Sequence, residues 1–359
     1  MSTNVGHLDG FPFLGVDLAD IIIEEPTTLD DLSNRTLAVD AYNALYQFLA
    51  IIRQPDGTPL KDRTGRVTSH LSGLLYRTAN LAEKGLKLVY VFDGEPPELK
   101  EMEIRRRREV KEEAIVRYER ALEEGKTQEA RTYAQATSQL KDQMVEDSKR
   151  LLTALGVSWI QAPSEGEAQA AFIAARGDVW GVASQDHDSL LFGAPRMVKN
   201  LAITGRRKLP RRDVYVEVEP KIVDLSKVLN ELSLSREQLI DVGILIGTDF
   251  NPDGVKGIGP KTAVKLIRDH GSLERVAAFD AGVRMLLDLE RVRAIRNIFL
   301  EPKVTQDYSL RWSKPAPEEV VGFLCKERDF SEERVRRALD KMTAAEASPK
   351  RGTLDSYFG

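Results

Sequence analysis

Three short apolar runs rich in valine or leucine constrain this chain more than any other feature: Thr36 to Ala41 (TLAVDA), Lys87 to Gly94 (KLVYVFDG) and Val179 to Ser184. Runs of this length read as buried strands. Between them the spacing turns helical. Val67, Leu71, Leu74, Leu75, Thr78, Leu81 and Ala82 recur at three or four residues, as do Ala168, Ala171, Phe172 and Ala175. Strand and helix in alternation predict an α/β fold with a mostly parallel central sheet flanked by helices. Open sheets of this kind bind ligands beyond the carboxyl ends of their strands. Asp40, Asp93, Asp186 and Asp188 stand at or just after such ends.

The stretch from Pro163 to Gly193 crowds Glu165, Glu167, Asp186 and Asp188 into two acid-x-acid pairs. Carboxylates held a few ångströms apart repel, and their burial raises their pKa values or recruits a cation. A hard divalent ion such as magnesium takes oxygen ligands of this type. With Asp40, Asp93 and Asp249 (in ILIGTDF) the set reaches seven acids, more than one ion requires. Two ions about 4 Å apart would use them fully, in phosphodiester hydrolysis.

The 359 residues carry a formal net charge of −4, which argues against a uniformly basic coat for a polyanion. The distribution is uneven, however. Arg105 to Arg108 form one basic run, Arg206, Arg207, Lys208, Arg211 and Arg212 another, and Lys256, Lys261, Lys265 and Arg268 a third. A single cysteine, Cys325, gives no support for a disulfide or a cysteine-metal site. No apolar run approaches the roughly 18 residues needed to cross a bilayer, so no membrane partner and an intracellular location are expected.

From Pro97 to Arg150 the chain is charged and poor in glycine, with sparse apolar positions (Val110, Ile115, Leu122, Tyr133, Leu140) and Gly125 as a break. Exposed helices are expected there, either a protruding arm over the strand ends or a solvated hairpin. Thr204 to Glu219 reads as a basic β-hairpin. Ser235 and Gln238 match a capping box opening a helix that reaches Gly247. In GVKGIGPKTAVKLIRDHG, glycines permit a tight turn, Pro260 suits a first helical position and Gly271 a helix end. The GVKGIGPK turn has the form of a helix-hairpin-helix, whose backbone amides and helix N-terminus make a nest for one phosphate. Such an element reads the nucleic-acid backbone, not the bases.

Taken in order, GVDLADII, LAVDAYNALYQFL, IRQPDGTPL, TSHLSGLLYRT, YVFDGEPPELK, the PSEGEA to DHDSLLFG window, LIGTDFNPDGVKGIGPK and the terminal TLDSYF resemble the structure-specific 5′ nucleases, and among them the flap endonucleases of archaeal type. The resemblance implies a PIN-like nuclease core with a helical arch and a helix-two-turn-helix element. It divides the chain into an N-terminal extension at 1–14, a single nuclease domain at 15–340 and a flexible tail at 341–359. Within that domain, 15–97 is the N-terminal region, 98–150 the arch, and 151–340 the internal region, with the hairpin element at 240–271. Family members commonly begin at the equivalent of Gly15. Either translation begins there, or the fourteen preceding residues route past the DNA.

Carried over residue by residue, the resemblance implies that Asp40, Asp93, Glu165 and Glu167 surround one magnesium ion and Asp186, Asp188 and Asp249 complete a second, with manganese able to substitute. Lys100 and Arg107 fall at arch positions that contact the scissile phosphate, where cations stabilise developing charge. Tyr46 matches a tyrosine that stacks on the base beside the cut, although Leu45, Phe48, Leu49 and Ile52 on the same helix allow a plain core role. Arg53 follows in the wedge between duplexes. Gly257, Gly259, Lys261 and Lys265 would hold duplex DNA, with a potassium ion at that turn. Leu354, Tyr357 and Phe358, within 351–358, would dock on the sliding clamp, with Arg351 standing where the family usually has glutamine. The implied activity is cutting of 5′ flaps at the junction by a monomer, with 5′–3′ exonuclease activity, in Okazaki fragment maturation and base excision repair. An exonuclease or junction-resolving relative, a silent clamp-bound scaffold and a PIN-type ribonuclease are the alternatives.

Overall fold

A computed structural model describes residues 16–54, 57–124, 140–208 and 215–347. Its centre is a seven-stranded sheet. Strands β1 (Glu25–Pro26), β2 (Thr36–Asp40), β3 (Lys87–Phe92), β4 (Ser158–Gln161), β5 (Gly181–Ala183), β6 (Arg196–Lys199) and β9 (Lys221–Asp224) run in the order β1-β9-β6-β5-β2-β3-β4. The pairs β2–β3, β2–β5, β3–β4 and β5–β6 are parallel, and β6–β9 and β1–β9 are antiparallel. A separate antiparallel hairpin, β7 (Gly205–Lys208) with β8 (Tyr215–Val218), occupies the basic stretch expected to form one.

Helices pack on both faces, and each buries its apolar stripe. Helix α1 (Ala41–Ile51) buries Leu45, Phe48 and Leu49, and α2 (Ser69–Glu83) buries Leu71, Leu74 and Leu75. These join β2, β3 and the C-terminal helix Glu332–Ala347 in one core cluster. The other face is covered by helices Gly166–Ala175, Arg236–Ile246, Pro260–His270 and Leu289–Leu300, which contribute to a second cluster. The capping box forms as read, with Ser235 accepting from the Gln238 amide and Gln238 returning to the Ser235 amide. Among the described residues no helix is long and apolar enough to cross a membrane.

Two boundaries differ from the sequence reading. The charged stretch does continue as the long helix α3 (Glu101–Glu123), but Gly125 and the chain to 139 lie outside the described residues. The next helix, Asp142–Ala154, belongs to the core. Met144, Val145, Ser148, Leu151 and Leu152 are buried, a three-and-four stripe that the surrounding charge conceals. The exposed arm therefore ends before Asp142, not at Arg150. Past Lys341 the helix persists to Ala347, because Val335, Ala338, Leu339 and Met342 keep the stripe going into the core. Lys341 adds bonds to Asn80 at 2.9 Å and Glu83 at 2.8 Å on α2.

Within α2, His70 is fully buried with neither ring nitrogen hydrogen-bonded among the described residues. Burial pushes its pKa down to about 4, against a smaller pull upward from Asp147. The unfolded imidazole takes a proton near pH 6.5 and the folded one does not, so this stability is complete at pH 7 and drains as pH falls towards 4. Between pH 7 and pH 5 the loss due to His70 is about 2 kcal/mol. In urea melts at those two pH values, His70→Leu should lose that much less stability than the parent. An identical pH dependence in both proteins would refute the assignment.

Candidate metal centre and substrate cleft

Strand order brings the acids together. The four adjacent parallel strands β5, β2, β3 and β4 present their carboxyl ends side by side, and each end delivers acids. Asp186 and Asp188 follow β5, Asp40 ends β2, Asp93 follows β3, and Glu165 and Glu167 follow β4. Asp249 arrives from the opposite wall, on a turn after helix Arg236–Ile246. Asn251 ties that turn by accepting from the Thr248 amide and hydroxyl and donating to the Ile244 carbonyl. All seven carboxylates line one cleft of about 280 Å³, together with Tyr42, Asn43, Tyr46 and Lys100.

Local chemistry aims each side chain. Asp40 caps α1 by accepting from the Asn43 amide at 3.0 Å. Asp93 accepts from the Gly166 amide at 2.6 Å, at the N-terminus of helix Gly166–Ala175. A Cβ at 166 would lie 2.6 Å from the Asp93 oxygen and 3.2 Å from the Val91 carbonyl oxygen, so a larger residue there would displace Asp93. With Asp93 serving that helix end, Glu165 at the N-cap makes no capping bond and turns instead to the Lys100 ammonium. Lys100 also pairs with Asp249 at 3.1 Å, so the base of α3 is fastened across the cleft.

The electrostatics ask for more positive charge than Lys100 supplies. Burial pushes Asp40 up to about 6, only partly opposed by the Asn43 amide and Lys100. Burial and then the neighbouring charges of Asp40 and Glu165 push Asp93 up to about 7. Burial and then Asp249 push Asp188 up to about 7. Glu167 is driven well above the carboxylate range by burial and then the charge of Asp186, and Asp186 by burial and then the charge of Asp188. Burial works against the charge on Lys100, but Glu165, Asp249 and Asp93 outweigh it and hold its pKa above that of an ordinary lysine. Crowded, hard oxygen donors of this kind fit a divalent cation. Asp40, Glu167 and Asp186 fit one best, each offering an oxygen within 4.8 Å of the others. That triad crosses the two ligand sets implied by the resemblance, with Asp40 and Glu167 from one and Asp186 from the other.

Tyr46 is half-buried and faces the cleft, while Leu45, Phe48 and Leu49 take the core positions of α1. The core reading of Tyr46 is thereby set aside. Arg107 stands on α3, its side chain outside the described part of the structure. Arg53 turns its guanidinium to its own loop, donating to the Ala50 carbonyl at 3.2 Å and the Gly57 carbonyl at 2.8 Å. The hairpin element is a separate, exposed surface. Gly257 holds a φ of 88° that only glycine adopts freely, Gly259 caps helix Pro260–His270, and Lys261 and Lys265 are exposed beside it. Gly15 and the clamp-peptide residues Leu354, Tyr357 and Phe358 lie outside the described residues.

The sequence reading missed the groups that hold the acids. Asp188 accepts from the Val16 amide at 2.7 Å. His187, fully buried between Asp186 and Asp188 in the chain, lies 3.2 Å from the Val16 carbonyl and 3.0 Å from the Lys199 ammonium. Ser184 donates to Glu167 at 2.6 Å and accepts from the Asp186 amide at 3.1 Å. Asn43 donates its side-chain amide to Asp186 at 2.8 Å. Sequence signals for these were faint: a histidine between two acids, and an asparagine three residues after a helix cap.

Comparison with known proteins shows the family and the fold. Residues 17–114 match the XPG N-terminal domain and residues 156–249 the XPG I-region. Flap endonuclease 1 of Hyperthermus butylicus is 55% identical over 357 residues, spanning 96% of this chain and 99% of that protein. Flap endonuclease 1 of Pyrococcus furiosus is 52% identical over 345 residues, 96% of this chain and 99% of that one. The solved flap endonuclease-1 from Methanococcus jannaschii superposes with a TM-score of 0.72 at 41% identity, covering 93% of this chain and 99% of its own.

Proposed function

Because the chain belongs to the flap endonuclease family of archaeal type, and so is a structure-specific nuclease, we propose that it hydrolyses the phosphodiester at the foot of a 5′ flap with two magnesium ions. The observation that carries this reading is the convergence of seven carboxylates with Lys100 and Tyr46 on one cleft. Asp40, Asp93, Glu165, Glu167, Asp186, Asp188 and Asp249 would hold the magnesium ions, which would supply Lewis-acid charge for hydrolysis, with manganese able to substitute. Lys100, with Arg107 further along α3, offers positive charge to the scissile phosphate. Tyr46 stacks on the neighbouring base, and Arg53 shapes the wedge loop. Gly257, Gly259, Lys261 and Lys265 hold the duplex backbone, with a potassium ion at the turn.

The wider role is the one the family resemblance implies. The protein acts inside the cell as a monomer in Okazaki fragment maturation and base excision repair, trims 5′ ends as a secondary activity, and docks on the sliding clamp through Leu354, Tyr357 and Phe358. Incubating an end-labelled double-flap DNA with and without magnesium tests the central claim. A magnesium-dependent cut at the junction is expected. No cut, or trimming of single strands alone, would reject it.

Stacking at Tyr46 carries its own expectation. Base stacking on an aromatic ring contributes roughly 1–3 kcal/mol per base, so Tyr46→Ala should lower kcat/KM on flap DNA by roughly 5- to 150-fold. Tyr46→Phe should retain most of it. Equal losses in both variants, measured under single-turnover and steady-state conditions, would show that the hydroxyl and not the ring matters.

A further inference from the structure

Three carboxylates make the tight triad of the cleft, and each accepts a neutral hydrogen bond. Asp40 accepts from the Asn43 backbone amide at 3.0 Å, Asp186 from the Asn43 side chain at 2.8 Å, and Glu167 from the Ser184 hydroxyl at 2.6 Å. One residue, Asn43, therefore serves two of the three acids, which come from different strands 146 positions apart in number. Its amide has a single sensible orientation. A carboxylate only accepts, so the NH₂ end must face Asp186. That leaves the oxygen to face the next turn of α1, where the Gln47 side-chain amide donates to it. With its oxygen engaged by Gln47 and its nitrogen by Asp186, both ends of the Asn43 amide are held by protein groups.

We propose that Asn43, with its amide oriented by Gln47, is a positioning residue that sets the spacing of Asp40 and Asp186 for the divalent ion. The inference deepens the metal reading and rests on it. Outer groups of this kind hold ligands at the geometry an ion demands, and removing one typically weakens metal affinity or activity 10- to 100-fold. Gln47 touches none of the acids in the bonds described, so any effect it has on metal binding must pass through Asn43. Polarity reversal at 47 isolates this. In Gln47→Glu the new carboxylate cannot donate to the Asn43 oxygen. It draws the Asn43 NH₂ towards itself and turns an oxygen onto Asp186.

The test titrates manganese into the DNA-free protein by calorimetry, in the parent, N43L, Q47E and N43L/Q47E. Expected are a 10- to 100-fold weaker manganese affinity in N43L, a weakening in Q47E despite its added negative charge, and no further weakening by Q47E in the N43L background. Single-turnover cleavage should show the same loss of metal affinity, partly rescued by raising the manganese concentration. If the parent binds manganese and Q47E binds it as well or better, the positioning role is overturned while the metal reading stands. If the parent binds no divalent ion, both are overturned. Full weakening by Q47E in the N43L background would also overturn the proposal, since the effect would then bypass Asn43.

Discussion

Replacing Asp186 by alanine removes flap cleavage, slowing the single-turnover rate by ~10³-fold or more, while binding of flap DNA survives. Asp186 belongs to the only triad of ligand-competent acids found among the described residues, and the charge stabilisation supplied through such a group amounts to several kcal/mol. Binding is spared for a separate reason. In the proposed reading, DNA is held by the hairpin element and the ring of Tyr46, neither of which uses Asp186. Removing one of several crowded negative charges also lessens repulsion of the phosphate backbone. Fluorescence anisotropy on flap DNA, beside a quenched-flow cleavage assay, separates the two. Cleavage at the parental rate would sink the assignment, and loss of binding together with cleavage would point to misfolding.

Lys100→Met gives the second large effect, in both rate and stability. The ammonium is nearly buried, with 14% of its side chain exposed, and sits between Glu165 and Asp249. Its removal takes a preorganised cation out of the cleft, where the proposed reading puts the scissile phosphate, and is expected to slow the single-turnover rate by ~10²–10³-fold. It also strands two buried acids, and losing one partner of a buried ion pair costs about 3–5 kcal/mol. The metal-free variant should therefore melt well below the parent. Magnesium should then raise its melting temperature more than it raises the parent's, because the ion takes over neutralisation that Lys100 performed. Equal magnesium-induced shifts in thermal melts would mean that Lys100 and the ion do not share the same charges.

Much of this was legible because it is local. Strands β2, β3 and β5, the capping box at Ser235, the hairpin β7–β8 and the glycine-capped helix Pro260–His270 each depend on residues within one turn or one strand. The position of acids just past strand ends is local as well, and so was the expectation of a metal. Helix Asp142–Ala154 was misjudged because charge on its outer face masked a stripe visible only once α2 and β4 were there to cover it. Tyr46 stood undecided between core and cleft because α1 is apolar on one side and faces the cleft on another. Asn43, Ser184 and His187 left only faint signals in the sequence. A neutral side chain becomes a ligand-orienting group only by where its partner lies, and Asp186 is 143 residues from Asn43.

The sequence by itself determined which residue types were available and where the chain would put them relative to its own strands and helices. Those outcomes follow from backbone hydrogen bonding and apolar periodicity over a few residues, and the family's motifs in their order determined the reaction class. Only the tertiary structure decided that β5, β2, β3 and β4 stand adjacent, that Asp40, Glu167 and Asp186 converge, and that Lys100 crosses to Glu165 and Asp249. Strand order, burial and the resulting repulsion are properties of packing between distant segments. Those same forces turn seven scattered acids into one centre whose charge calls for a cation.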